Sequence, residues 1–280
     1  MRVSEIFGTS TENTSPAATA SRSEKLCPFR GSPCTKVRKI DPVGVCSLSQ
    51  GQEATVVCPV RFLQKQRIFS DAGKIAFGSG VDVVAFPEFK LLTVEGVGRN
   101  GNDKKIGKVD FLIGKLVDSE ITDFAALEVQ AVYSSGGGVE DAFRRFMDGG
   151  APTDENLGVD FRSSAQKRLV PQLELKVPVF RRWGKKFFVA IDTTFYAALP
   201  EFGSTSEGNS EVTWLAYPIT QPDPHRDYVM GAPEIHFTEW SKVQHALKEG
   251  VPPSGPDEVQ RDLTKRIKGN KLGKFCVVTT

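Results

Sequence analysis

The sequence predicts a mixed α/β protein in which helices flank a central sheet, with a small, loop-rich cysteine module beside it. Strand-like apolar runs and helix-like stretches follow one another along the chain. Four of the five cysteines lie close together near the start, among many prolines and glycines. With 280 residues, 39% of them hydrophobic and 25% charged, the chain can bury a sizeable core, which excludes a disordered protein and a minimal disulfide scaffold.

The near-balance of charge limits what the composition says about partners. Lys and Arg total 36 against 34 acidic residues, a formal net charge of +2, so nucleic-acid binding would depend on local basic clusters.

The longest apolar run is far shorter than the roughly 20 residues of a transmembrane helix. The N-terminus also lacks the basic start and apolar stretch of a secretory signal. We therefore expect a cytoplasmic protein that does not span a membrane.

The chain divides into three predicted parts. Residues 1–24 include a polar stretch of small residues with almost nothing to bury, which predicts a mobile N-terminal arm. Residues 25–70 carry the clustered cysteines and are predicted to form the metal-binding module. Residues 71–280 are predicted to form the catalytic domain.

The predicted domain over residues 71–280 alternates strand-like and helix-like stretches. The predicted strands are 81–86, 108–113, 123–132, 186–191, 212–217 and 234–237. The predicted helices are 139–147, 163–183, 240–248 and 257–268. Pro171 and Pro178 fall inside the second of these helices, so we expect it to be kinked or split.

Four clustered cysteines predict a structural metal site. They are Cys27, Cys34, Cys46 and Cys58, separated by six, eleven and eleven residues. Four thiolates complete a tetrahedral shell around zinc or iron, although the CxxC pairs of zinc ribbons are missing. Two disulfides, or four unconnected buried thiols, are the alternatives, of which a reducing cytoplasm disfavours the first. A filled thiolate shell leaves no position for water, so its expected role is to shape a loop platform.

Polar residues inside two apolar runs predict a catalytic site. Glu128 and Gln130 interrupt the run 124–132, and the period of two places both side chains on one strand face. Asp110 interrupts the preceding run, and an antiparallel pairing would bring the two carboxylates to one divalent ion. Two carboxylates with open water positions suit Mg²⁺. Solvent-facing positions on an edge strand are the alternative. An acid followed by E-x-[KQ] is the short pattern of the PD-(D/E)XK nucleases.

A second E-x-K motif, Glu174-Leu175-Lys176, also follows an apolar stretch. Prolines flank it, its surroundings are typical of a helix, and no acid-bearing strand precedes it at a suitable distance. We therefore interpret Glu174 and Lys176 as a pair on a helix surface rather than as catalytic residues.

Local basic clusters are the candidates for DNA contact, because Lys and Arg neutralise phosphates and Arg can bond guanine through both its nitrogens. A solvated helix face is the alternative for each. The candidates are Arg61, Lys65, Arg67, Arg144, Arg145, Lys167 and Arg168.

The order of several motifs resembles the NotI family of type II restriction endonucleases. The similar segments are Cys27-Pro28-Phe29, Gly44-Val45-Cys46, Val57-Cys58-Pro59-Val60-Arg61, Val83-Val84-Ala85-Phe86, Lys90-Leu91, Asp110-Phe111, Leu127-Glu128-Val129-Gln130, Trp214 to Pro218, Ala232-Pro233-Glu234-Ile235 and Pro253-Ser254-Gly255-Pro256. The likeness runs from about Lys25 to Lys268, nearly the whole chain. This combination is far more specific than any one of the motifs.

The resemblance implies a PD-(D/E)XK fold and a homodimer that cuts a palindromic site in double-stranded DNA with magnesium. It implies that Asp110 and Glu128 are metal ligands and that Gln130 stands where most relatives carry lysine. It also implies that the four cysteines hold a structural iron. A non-enzymatic, sequence-specific DNA-binding protein with a structural metal site is the rival interpretation. Such a regulator would have no need for the three polar residues to converge.

Overall fold

The computed structural model describes residues 1–38, 41–51, 53–94, 104–135, 138–223, 225–248 and 256–269. The strands in these ranges are β1 (Arg2–Ile6), β2 (Thr9–Ser10), β3 (Leu26–Cys27), β4 (Ser32–Pro33), β5 (Val37–Arg38), β6 (Asp41–Pro42), β7 (Val45–Ser49), β8 (Ala54–Val56), β9 (Asp82–Val94), β10 (Lys104–Val117), β11 (Glu120–Val129), β12 (Tyr133–Ser135), β13 (Gly158–Asp160), β14 (Phe187–Asp192), β15 (Val212–Tyr217), β16 (Ile219–Thr220), β17 (Val229–Met230) and β18 (Glu234–Thr238). The α-helices are α1 (Pro16–Ser23), α2 (Arg67–Phe77), α3 (Gly138–Met147), α4 (Phe161–Ser164), α5 (Val170–Arg182), α6 (Thr193–Ala197), α7 (Trp240–Lys248) and α8 (Pro256–Lys268). Short 3₁₀ helices span Pro59–Gln66 and Glu207–Asn209, and a π-helical turn spans Ala165–Leu169.

A six-stranded mixed sheet in the order β18-β15-β14-β11-β10-β9 forms the centre of the fold. β9, β10 and β11 are joined by antiparallel pairing, and β18 is antiparallel to β15. β14 is parallel to both of its neighbours, β11 and β15. Each of these strands overlaps one of the six runs predicted from the sequence, so the mixed α/β class with a central sheet is confirmed.

Helices cover both faces of the sheet, and the alternation of side chains decides which residues each helix meets. On one face, α5 packs Leu173, Val177 and Phe180 into a core that includes Ala126 and Val189. On the other face, α2 packs against a core that contains the residues adjacent to these two on the same strands, Leu127 beside Ala126 and Phe188 beside Val189. Glu128 lies two residues after Ala126 on β11, so its side chain is on the same face of the sheet and faces α5.

The long helix predicted over 163–183 is present and is not split. α4, the π-helical turn and α5 follow one another without a break from Phe161 to Arg182, with right-handed helical φ and ψ at the junctions. The π turn ends just before Pro171, which has no N–H and whose ring would crowd the carbonyl of residue 167. The wider turn accommodates this proline, and Pro178 is accommodated inside α5.

Residues 1–24 are folded, which corrects the prediction of a mobile arm. β1 pairs with β2 and with β7, which in turn pairs with β8. Val3, Ile6 and Phe7 are almost completely buried in the core beneath this small sheet. α1 begins after Ser15, whose side chain accepts a hydrogen bond from the Ala18 backbone N–H. Composition was a poor guide here because β7, a main partner of β1, lies far along the chain.

Met1–Leu247 form one compact unit and Lys248–Thr280 a second. The predicted boundary at residue 70 lies within α2, inside the first unit. None of the helices in the described ranges is both long enough and apolar enough to cross a membrane.

Candidate active site

Asp110 of β10 and Glu128 of β11 lie side by side. The antiparallel pairing of Phe111 with Leu127 brings Asp110 opposite Glu128. The Asp110 backbone N–H donates to Glu128 Oε1 at 3.2 Å, and the Val129 backbone N–H donates to Asp110 Oδ2 at 2.9 Å. Each carboxylate is thus fixed by the backbone of the other strand, and their negative charges are close together.

Glu128 has a buried oxygen that lacks a partner. Its side chain is 0% exposed, and Oε2 makes no hydrogen bond within the described part of the chain. Burial, followed by the charge of Asp110, raises the pKa of Glu128 to about 7, although Lys176 opposes both effects. Leaving a carboxylate oxygen buried and unpaired is costly. A bound divalent cation would remove that cost.

The donor set around this oxygen fits magnesium. Glu128 is buried, whereas Asp110 beside it is half-buried and so partly exposed. No group of three or more His, Cys, Asp or Glu residues that could hold a metal is found among the residues described. One or two carboxylates, with the remaining positions left to water and phosphate, are the ligand set that Mg²⁺ ordinarily uses in proteins.

Helix α5 contributes two residues to this site. Lys176 Nζ donates to Glu128 Oε1 at 2.8 Å, and Gln130 Nε2 donates to Gln172 Oε1 at 2.7 Å. Gln172 and Lys176 are four residues apart and so share one face of the helix.

The structure corrects the prediction that Lys176 lies on a helix surface, because its side chain is only 5% exposed. The helix was predicted correctly, but the partner Glu128 is 48 residues away in sequence. One signal could have revealed it, since Lys176 falls between Leu173, Val177 and Phe180 on the apolar stripe of the helix. Gln172 was not singled out from the sequence and carries no comparable signal.

The sequence of the chain matches a known protein family over a span that includes this site. The model of the restriction endonuclease NotI family matches residues 11–230, a span that includes the carboxylate pair, Gln130, and the helix residues Lys176 and Gln172 that bond Glu128 and Gln130. The chain belongs to the NotI restriction endonuclease family. It is therefore a site-specific deoxyribonuclease, and the rival interpretation as a non-enzymatic DNA-binding protein is set aside. A search of curated proteins found no match.

Arg61, expected from the sequence to contact DNA, has a different role in this NotI-family chain. Its side chain is 0% exposed, and Nε lies 2.9 Å from Glu5 Oε2. Its remaining donors bond Gln64 Oε1 and the Tyr228 carbonyl, both at 3.0 Å. With its charge paired and its donors used inside the protein, Arg61 offers nothing to a DNA phosphate, which corrects the prediction.

The other DNA-contact candidates lie wholly or partly at the surface. Arg67 is half-buried and bonds Asp71 and the Met230 carbonyl, whereas exposed Arg144 and Arg145 pair with Glu140 and Asp154. The remaining candidates, Lys65, Lys167 and Arg168, are exposed.

Arg168 lies in the π-helical turn, and its guanidinium carbon is 3.3 Å from the centre of the Tyr133 ring. Gln172 and Lys176 follow Arg168 at intervals of four residues. The face of the helix that meets the carboxylate site therefore ends in an exposed cation.

The four clustered cysteines carry free thiols. Burial raises the pKa of Cys27, and the nearby Cys34 and Cys58 raise it further. Burial also raises the pKa of Cys46, with Glu5 and Cys58 adding to the effect. The thiols are therefore close enough to interact electrostatically, but they do not form a metal-binding group of three in the described ranges. The predicted metal-bound cysteine module is not shown by this structure.

Proposed function

We propose that this chain is a type II restriction endonuclease that hydrolyses phosphodiester bonds at a specific palindromic site in duplex DNA, with Mg²⁺ as its cofactor. The unpartnered Oε2 of Glu128 beside Asp110 supports this proposal most directly. We propose a homodimer, because palindromic recognition follows from two-fold symmetry when each protomer reads one half-site and cuts one strand.

The three predicted site residues share two tasks in this proposal. Asp110 and Glu128 hold the cation. When bound, Mg²⁺ makes a water nucleophilic and neutralises charge on the scissile phosphate. Gln130 cannot accept a proton at neutral pH, and its Nε2 is bonded to Gln172, so its carbonyl oxygen orients the attacking water. Proton removal then falls to solvent or to the substrate phosphate.

Incubation of plasmid and phage DNA with the purified protein tests this function. We expect discrete fragments in the presence of Mg²⁺ and none with EDTA, and sequencing of the fragment ends would give the palindrome. DNA that is shifted on a gel but remains uncut over a wide set of substrates would contradict the proposal.

Cation binding should depend on pH through Glu128. Its pKa of about 7 lies above the ordinary value of 4.5, and only the ionised carboxylate binds a cation. Below pH 7 the proton competes, so affinity for Ca²⁺ should fall by about tenfold per pH unit, and above pH 7 it should level off. Calorimetric titration with Ca²⁺ from pH 5.5 to 8.5 measures this. Affinity that is flat across this range, or a Glu128→Gln variant with the same pH step, would contradict the assignment.

DNA contacts are proposed for the exposed or half-exposed basic residues. Lys65, Lys167 and Arg168 are the leading candidates because they are exposed. Arg168 also lies on the same side of the helical segment as Gln172 and Lys176, the residues that contact the site. Arg67, Arg144 and Arg145 would first have to exchange their partners within the protein for phosphates.

We also propose that Cys27, Cys34, Cys46 and Cys58 bind one structural iron or zinc ion. The support is their proximity, because Cys34 and Cys58 help to raise the pKa of Cys27 and Cys58 helps to raise that of Cys46. This repulsion between thiolates is one that a bound metal cation would relieve. Such a site would stabilise the loop-rich segment in the reducing cytoplasm that we expect.

Metal analysis of the purified protein should find about one equivalent of iron or zinc per chain, the content of a single four-thiolate site. Cys46→Ser and Cys58→Ser should lose this metal and unfold at lower urea concentration. Cys276→Ser is the matched control, and its metal content should stay at the wild-type level. Metal-free wild-type protein, purified without chelator, would contradict this part of the proposal.

A further inference from the structure

We infer that one face of α5 positions Glu128 of β11 and Gln130, which follows directly after that strand, with Lys176 and Gln172 as the positioning residues. The inference rests on the proposed nuclease function and adds to it two residues from a different element. From Lys176 back to Arg168, residues at intervals of four on the helical segment contact, in order, residues of the chain from 128 to 133. Lys176 meets Glu128, Gln172 meets Gln130, and Arg168 stacks on Tyr133.

Lys176 selects which oxygen of Glu128 is available. Nζ donates to Oε1, which also accepts from the Asp110 backbone N–H. Both donors therefore act on the same oxygen, and Oε2 is left unpartnered. A carboxylate held in this way offers one oxygen in a fixed direction. Without the lysine, Glu128 could turn and grip a cation with both oxygens.

Gln172 does the same for Gln130. The Gln172 carbonyl oxygen accepts from Gln130 Nε2 at 2.7 Å, so the amide of Gln130 is held with its nitrogen toward the helix. In a planar amide the nitrogen and the oxygen leave the carbon in different directions, so the Gln130 oxygen is directed elsewhere than Gln172 Oε1. The helix thus orients one oxygen on each of these two side chains, Glu128 and Gln130.

A purely structural ion pair would make a different prediction. Removing one partner of a buried pair is strongly destabilising, so a structural role predicts lower stability with unchanged chemistry in the molecules that remain folded. Positioning predicts a lower kcat at unchanged DNA affinity, because a small displacement of a reacting group costs about 100-fold.

The test compares Lys176→Met, Lys176→Arg and Gln172→Leu. Lys185→Met is the matched control, since Lys185 also pairs with a β11 carboxylate, Asp123, at 2.6 Å, in a more exposed setting. For each protein we would measure cleavage under single turnover, Ca²⁺-supported DNA binding, calorimetric Ca²⁺ affinity and unfolding in urea. Gln172→Leu leaves no unpaired charge behind, so it remains informative if Lys176→Met does not fold.

We expect Lys176→Met to cleave at least about 100-fold more slowly and Gln172→Leu at least about tenfold more slowly. DNA affinity should be unchanged in both. Ca²⁺ should bind Lys176→Met no more weakly than wild type, because a positive charge beside the cation has been removed. Lys176→Arg, which keeps the charge and the donor, should recover part of the rate.

Wild-type cleavage rates in folded Lys176→Met and Gln172→Leu would overturn the inference. The same conclusion would follow if Lys176→Met were unfolded and Gln172→Leu cleaved normally. Neither result would affect the proposed function, which fails instead if the wild-type protein does not cut DNA or if substitution of Asp110 has no effect.

Discussion

Asp110→Asn and Glu128→Gln should each abolish Mg²⁺-dependent cleavage, and Asp110→Asn, which leaves the buried Glu128–Lys176 ion pair intact, should stay folded and able to bind DNA in Ca²⁺. Both substitutions keep an acceptor oxygen for the hydrogen bonds that join the two strands and to Lys176. Each removes one negative charge from the cation site. A catalytic cation contributes several kcal/mol to stabilising the transition state, so we expect losses of roughly 1000-fold or more.

Single-turnover cleavage assays measure this loss, and gel shifts in Ca²⁺ measure binding. Asp123→Asn is the matched control, because Asp123 lies on the same strand as Glu128 and also pairs with a lysine, Lys185. Its side chain is 42% exposed, so it should cut at the wild-type rate. Cleavage at wild-type rate by either site variant would mean that the carboxylate pair is not the catalytic centre.

Arg61→Ala should have the largest effect on stability. It would leave the Glu5 carboxylate, which is 0% exposed, without its ion-pair partner, and would leave the Tyr228 carbonyl without the Arg61 donor. Removing one partner of a buried ion pair costs about 3–5 kcal/mol, a large part of the stability of an ordinary domain.

Urea denaturation gives the free energy of unfolding for this comparison. Arg162→Ala, at an exposed position of α4, is the control and should change that free energy by less than about 0.5 kcal/mol. If Arg61→Ala were as stable as wild type but bound DNA more weakly, the structural assignment would be wrong and the original prediction of DNA contact would be restored.

Much of the sheet and part of the candidate site could be predicted from the sequence, because their determinants are local. Each strand of the central sheet shows its own run of apolar residues, and the period of two placed Glu128 and Gln130 on one face before any coordinates were known. The position of Asp110 on a preceding strand needed only one further assumption, that neighbouring strands pair antiparallel.

The predictions that failed all concern partners that are distant in sequence. The charge of Arg61 is typical of a DNA contact until Glu5 is seen to pair with it. Residues 1–24 have the composition of an arm, yet β1 is buried because β7 pairs with it. Neither partner leaves a mark on the local pattern.

The sequence by itself determined the class of the fold, its strands and long helix, the family and the three polar residues Asp110, Glu128 and Gln130. Only the tertiary structure decided that a lysine on α5 reaches the buried glutamate and that one oxygen of that glutamate is left for a cation. The physical reason is the distance along the sequence over which each effect acts. Periodicity and propensity act over a few residues, whereas the charge and burial of a side chain are set by whatever the fold packs against it.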